Sequence, residues 1–243
     1  SKGTVVKLTL FREGIDKPFE VVLVRDTIVV KSVTVEYEPV DKKNPEGMKT
    51  AVIKLSRFGD RTQEEWAAAV ANVTTNCQVN GLKCKGLVLD LRNNPGGYLE
   101  MAVYVAGEFL NPGKLVVEQV YGDGQKIENK VDRNGRILDL PMTVLVNEGS
   151  ASAAEILAGA LQDYKRAKIV GEKSFGKGSV QQPEDFSDGS GIHVTVAKWL
   201  RPSGDWLDKK GITPDIVVES GEATDSAQIT EDKQLLKAIE ILK

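Results

Sequence analysis

Residues 4–10 (TVVKLTL) and 19–25 (FEVVLVR) are rich in β-branched and other apolar side chains and read as β-strands, with Gly14 marking a turn between them. A third β-rich run spans 27–37 (TIVVKSVTVEY), followed by the polar, proline-containing loop 41–47 and a strand over 50–56. The period then changes. Thr62 with Glu65 three residues on has capping-box spacing and predicts a helix over 62–75. The apolar run 86–91 (GLVLDL) reads as a buried strand that ends in the turn RNNPGG. Leu99, Val103, Ala106 and Leu110 recur at helical spacing over 98–110. Strands at 114–120 and 142–146 precede a helix over 152–164, whose apolar stripe is Ala153, Ile156, Leu157, Ala160, Leu161 and Tyr164. A strand at 168–171 leads into the glycine-rich GEKSFGKGS. Strands at 178–182, 191–200 and 215–219 and a helix over 229–242 complete the chain. This alternation predicts an α/β architecture with a largely buried sheet, and the strand-rich ends add α+β character.

Composition removes several classes of function. A net charge of −3, with both signs mixed throughout, gives no electrostatic basis for binding nucleic acid or an anionic membrane. No apolar run approaches the roughly 18–20 residues of a membrane span. The two cysteines, Cys77 and Cys84, match no zinc or redox spacing. Either they close a short loop as a disulfide or they are two buried thiols.

The chemistry is bounded first by the scarcity of imidazole. His193 is the single histidine, and it falls in the alternating run Ile192–Val196, where it fills one strand face. With no HExxH, CxxC or EF-hand pattern, a metal site is not expected, and lysine becomes the natural base for a hydrolytic reaction. Gly171–Gly178 (GEKSFGKG) nearly matches the phosphate-cradling loop, and Val88-Leu89-Asp90 imitates its magnesium-binding strand end. However, Gly178 stands where a hydroxyl should bind the ion, and SVQQP does not start a helix. Ser174-x-x-Lys177 fits the SxxK pattern, but that motif belongs on a helix, which Gly176 and Gly178 oppose. The stronger stretch is NEGSASAAEI (147–156), where a strand ends, a short turn follows and an amphipathic helix begins. There Ser152 meets free N–H groups and the positive helix end. Ser152-x-x-Glu155 also has capping-box spacing, so the residues alone allow a helix cap as well as a nucleophile.

Three blocks occur in order and in register: GLVLDLRNNPGG (86–97), PMTVLVNEGSASAAEILAGALQDYKRAKIVGEKSFGKGSVQ (141–181) and VTVAKWLRPSGDWLDKKGITPDIVV (194–218). Together they resemble the carboxyl-terminal processing (tail-specific) peptidases of bacteria and photosynthetic organelles. The resemblance implies a crotonase/ClpP-like spiral of β-strands braced by helices, with extra N-terminal strands. It implies Ser152 as nucleophile, Lys177 as general base, Gln181 orienting the lysine, and an oxyanion hole from the backbone N–H groups of Gly97 and Ala153. Residues 1–30 resemble the closing strands of a truncated PDZ module, whose carboxylate-binding loop and main helix would lie upstream; 31–243 resemble the catalytic core. The implied partners are polypeptides presented by their carboxyl-terminal segments, unfolded or tagged, with a second copy or an adaptor as further partner. No cofactor is implied. The implied setting is extracytoplasmic: a bacterial periplasm or cell envelope, or a thylakoid lumen. The rival readings are a disarmed or gated peptide-binding scaffold and a non-peptidase crotonase-like enzyme; the intact Ser152/Lys177 pair argues against the latter.

Several local expectations follow. A lysine base must be neutral, and burial beside apolar groups favours that form, with Phe175 and Val180 as expected neighbours. Gln181 lies four residues beyond Lys177, so a kink at Gly178 is needed to bring the two together. The lysine segment is flanked by glycines with nothing nearby in sequence to hold it, so Lys177 is expected to stand displaced from Ser152 in the absence of the full module. Glu172 and Lys173 are expected in solvent, and Asp163 is expected to be structural.

Overall fold

A computed structural model describes residues 1–28, 30–79, 83–220 and 231–242. The chain divides into two compact units, Ser1–Lys31 and Ser32–Lys243. The first is a hairpin of β1 (Val5–Leu10) and β2 (Phe19–Val24), paired antiparallel from Val5↔Val24 to Leu10↔Phe19. Val5, Val22, Val24 and Phe11 all face solvent there.

The second unit begins with β3 (Val33–Pro39), β4 (Lys49–Leu55), α1 (Thr62–Thr74), a π-type turn over Thr75–Val79, β5 (Cys84–Asp90) and α2 (Leu99–Ala106). A hairpin of β6 (Leu115–Tyr121) and β7 (Lys126–Lys130) follows, then β8 (Met142–Val146), α3 (Ala153–Asp163) and β9 (Lys168–Gly171). The last elements are β10 (Ser179–Asp185), β11 (Gly191–Leu200), β12 (Ile216–Val217) and α4 (Lys233–Ile241). A six-stranded sheet has the order β12-β9-β8-β5-β4-β3, parallel except for the β3–β4 edge pair. A four-stranded antiparallel sheet has the order β10-β11-β6-β7.

The apolar runs of β4, β5 and β8 are buried on both faces of the larger sheet. Ile53, Leu55, Leu87, Leu89, Val144, Val146 and Ile169 pack with Trp66 and Val70 of α1, Ala102 and Val105 of α2, and Ile156 and Leu157 of α3. The opposite-facing Val52, Val88, Leu145 and Val170 meet Ala238, Ile239 and Leu242 at the end of the chain. Burial on both faces explains why these strands read as continuous apolar runs rather than as alternation. Cys77 and Cys84 are joined by a disulfide, which closes the passage from α1 to β5. Among the described residues no helix is long and apolar enough to cross a membrane, and no cluster of three or more His, Cys, Asp or Glu could hold a metal.

The mixed α/β architecture matches the expectation, with local departures. β3 starts at Val33 rather than Thr27. No capping box forms at α1: Thr62 Oγ1 accepts from Gly59 N–H at 2.8 Å, and Glu65 reaches away to Ser32 N–H at 2.6 Å and Ser32 Oγ at 2.7 Å. α2 stops at Ala106, four residues early. β7 was not expected, and β10 continues through Pro183 to Asp185. The last strand shrinks to β12. α4 begins at Lys233, and the predicted start of that helix, at 229–230, lies outside the described residues.

Candidate active site

Three turns leave the carboxyl ends of three neighbouring strands, β5, β8 and β9, and are bonded to one another. The turn after β8 carries Ser152. Its Ser150 Oγ donates to Leu91 O at 2.8 Å and accepts from Asn147 N–H at 3.0 Å. Ala151 N–H donates to Asn94 O at 2.9 Å, which fastens this turn to the one after β5. Asn93 and Asn147 add a reciprocal pair at 2.8 and 2.9 Å. The turn after β9 joins through Phe175 N–H, which donates to Ser150 O at 3.0 Å.

Asn94 sets the shape of the glycine turn. It is fully buried; its Nδ2 donates to Leu55 O, and its Oδ1 accepts from Gly96 N–H, both at 2.8 Å. Gly96 and Gly97 then pass so close to their neighbours that no side chain fits. A Cβ on Gly96 would lie 2.7 Å from Ser152 Cβ and 3.0 Å from Ala153 N. One on Gly97 would fall 1.8 Å from Phe58 O. Gly97 and Ala153 N–H are both left without an acceptor among the described residues.

Ser152 itself has φ 55° and ψ −118°. Ser152 is the N-cap of α3 and forms the capping box with Glu155, but its backbone is not the extended one of an ordinary cap. Instead it is a sparsely populated, strained conformation at a strand-to-helix turn, and Ser152 is buried there at 6% exposure. Glu155, three residues into the helix, accepts from Ser152 N–H at 2.9 Å. The same Oε2 accepts from Lys177 N–H at 2.9 Å, so the serine and lysine backbones are held no farther apart than twice that distance.

Ser152, Lys177, Gly97 and Ala153 are therefore gathered in one region, but not every expected contact forms. Among the described residues no hydrogen bond joins Ser152 Oγ to Lys177 Nζ. Gln181 is exposed on β10, just after a bulge between Val180 and Gln181, and no bond links it to Lys177. The irregularity expected at Gly178 is thus displaced to that bulge. Gly178 serves close packing instead, since a Cβ there would lie 2.1 Å from Asp208 N. Phe175 is 67% exposed and cannot be the desolvating wall expected for Lys177, whereas Val180 does pack against the core. Glu172 is half-buried and accepts from Ser220 N–H and Oγ at 2.7 and 2.8 Å, contrary to the expectation of free solvation. Asp163 is structural: it pairs with Arg201 and accepts from Ser203 N–H. Ser174 is not an SxxK nucleophile, because its hydroxyl is committed to Glu155 and accepts from Ile212 N–H at 2.6 Å.

Sequence reasoning missed Asn94 as the organiser of the glycine turn and Glu155 as the link to the lysine segment. The capping-box spacing flagged Glu155, but its partners at 174–177 are brought to it only by the sheet.

A strained serine at a strand-to-helix turn, beside backbone N–H groups that have no acceptor among the described residues, is an arrangement suited to nucleophilic acyl transfer. The chain belongs to peptidase family S41, whose family model matches residues 49–218. It is 41% identical over 221 residues to a carboxy-terminal-processing protease of Bartonella bacilliformis, covering 89% of this chain and 48% of that protein. It is 37% identical over 218 residues to the carboxy-terminal processing protease CtpA of Bacillus subtilis, covering 90% and 43%. Among solved structures, a photosystem II D1 C-terminal processing protease superposes with a TM-score of 0.68 at 32% identity, covering 90% of this chain and 56% of that one. The chain thus spans about half the length of the curated relatives it matches.

Proposed function

We propose that this chain is the catalytic core of a serine endopeptidase that cleaves polypeptides near their carboxyl ends. The observation that carries the reading is the strained Ser152 backbone beside Gly96 and Gly97, with Gly97 and Ala153 N–H unspent. In this mechanism neutral Lys177 takes the Ser152 hydroxyl proton while Oγ bonds to the peptide carbonyl carbon. Gly97 and Ala153 N–H hold the resulting oxyanion. On collapse the C–N bond breaks, Lys177 returns its proton to the leaving amine, and water hydrolyses the acyl-enzyme. Gln181 orients the lysine once its side chain turns inward. No cofactor takes part. The substrates are unfolded or tagged polypeptides, and the setting is extracytoplasmic, a reading that the Cys77–Cys84 disulfide supports. The hairpin of the first unit corresponds to the closing strands of a PDZ-like module, and a second copy or an adaptor is the further partner.

A gated form of the same site is the second reading, favoured by the absence of a Ser152 Oγ–Lys177 Nζ hydrogen bond. Turnover of an unfolded protein by the parent chain, Ser152→Ala, Lys177→Ala and Lys177→Arg tests both. All three variants should be inactive, the last because arginine does not release its proton at working pH. Activity within severalfold of the parent in Lys177→Ala would exclude lysine as the base. A folded parent chain that stays silent on protein and is not labelled at Ser152 by a fluorophosphonate would favour the gated form, in which the lysine stands away from the serine.

A further inference from the structure

Glu155 is completely buried, and no cation lies within ion-pair reach of it among the described residues. A buried carboxylate without a counter-charge is expensive to maintain, and hydrogen bonds must offset the lost hydration. Four donors do so here. Ser152 N–H and Lys177 N–H both reach Oε2 at 2.9 Å, while Ser174 Oγ at 2.5 Å and Gly176 N–H at 2.6 Å reach Oε1. A helix cap uses one of these bonds. The other three fasten the lysine segment. Ser174 passes the constraint on by accepting from Ile212 N–H at 2.6 Å. The other charged side chains on the turns packed here are Arg92, Glu148, Glu172, Lys173 and Lys177, with Asp208, Lys209 and Lys210 on the 207–211 turn; none of these side chains bonds to Glu155.

We propose that Glu155 is a positioning residue for the reaction: one carboxylate oxygen fixes the spacing between the serine and lysine backbones, and its charge favours the ammonium that forms when Lys177 takes the Ser152 proton. The proposal rests on the reading of Ser152 and Lys177 as nucleophile and base. It adds a group that touches neither the substrate nor the transferred proton. The role is analogous to that of the carboxylate in a serine–histidine triad, which orients the base and stabilises its charged form.

Glu155→Gln keeps the shape and removes the charge. We expect kcat to fall about a hundredfold with KM within twofold, as for a small misplacement of reacting groups. We also expect the acid limb of the kcat profile to move to lower pH by about one unit, because a nearby anion no longer favours the protonated base. Loss of kcat with an unmoved limb would reduce Glu155 to a structural buttress and overturn the proposal, as would kcat within twofold of the parent. Should Glu155→Gln fail to fold, Ser174→Ala decides. It keeps the charge and removes one of the two bonds to Oε1, so kcat should drop about tenfold with KM and the limb unchanged; parental kcat would overturn the proposal. Lys177→Ala separates the two levels. If that variant stays active, the underlying dyad reading is wrong. If it is dead while Glu155→Gln works normally, only the role of Glu155 fails.

Discussion

A residue with a Cβ held at φ 55° and ψ −118°, as Ser152 is, carries about 1–3 kcal/mol of backbone strain. That energy returns if the Cβ is removed. Ser152→Gly should therefore be about 1 kcal/mol more stable than Ser152→Ala in urea unfolding, despite the entropy a glycine normally costs, and both should be inactive. Equal midpoints, or a less stable glycine variant, would mean that the serine backbone is unstrained. Gly97→Ala tests the opposite case. Its Cβ would meet the Phe58 carbonyl at 1.8 Å, backbone against backbone at φ 136°, so a loss of about 3 kcal/mol or more is expected together with loss of activity. At this scale the sequence was informative about residue type and silent about conformation. A serine before a helix suits a cap and a nucleophile alike, and the dihedral angle that sets Ser152 apart from an ordinary cap appears nowhere in the letters. Glu155 was equally ambiguous, because three of its four bonds go to residues about twenty positions away.

The strands and helices that build the site were legible because each is long, apolar and buried: β5, β8 and α3 fall within two residues of their expected bounds. β7 was not legible. Its sequence, KIENK, is polar and largely exposed, and it is a strand because it pairs with β6 across Gly122-Asp123-Gly124. The disulfide sits at the amino end of β5, and the site lies at the other end, about 20 Å away at the usual rise per residue. Replacing Cys77 and Cys84 together by Ala should thus cost about 2.5 kcal/mol in urea unfolding through lost loop-closure entropy. It should leave kcat unchanged, and a matched loss of activity would place the loop within reach of the site. At that other end, Arg92 follows β5 and clasps Asp90 at 2.7 Å and Asp232, the cap of α4, at 2.8 Å. Burial works against the Asp232 carboxylate, but the Arg92 hydrogen bonds and charge and the Leu235 N–H outweigh it and hold the group below its ordinary value. A depressed carboxylate contributes stability above its unfolded value of 3.8, and that contribution disappears as pH falls through the lower folded value. Asp232→Asn should accordingly melt about 2 °C lower than the parent at pH 7, a small effect because the group is partly exposed. The gap should close near pH 2, below the ordinary carboxylate range. A gap that stays constant with pH would detach the effect from charge.

At the scale of the molecule, strand order does what no single motif can. β9, β8 and β5 are neighbours in the sheet although long stretches of chain separate them, so the turns bearing Lys177, Ser152 and Gly97 leave the same edge side by side. This is the general position of sites in open parallel sheets, outside the carboxyl ends of the strands. All five candidate residues lie in the Ser32–Lys243 unit, and none lies in the Ser1–Lys31 hairpin. The two units also differ in what holds them. A two-stranded hairpin with exposed apolar side chains is marginal by itself, whereas β5 and β8 are buried on both faces. Native-state hydrogen exchange should therefore find β1 and β2 amides exchanging at least about a hundredfold faster than those of β5 and β8. In rising urea, hairpin protection should vanish first, while fluorophosphonate labelling of Ser152 persists until Trp66 and Trp199 fluorescence reports loss of the core. Labelling that falls together with hairpin protection would show that the serine depends on the first unit. Labelling that outlasts the hairpin would place the whole of the serine's reactivity in the sheet that orders its three turns.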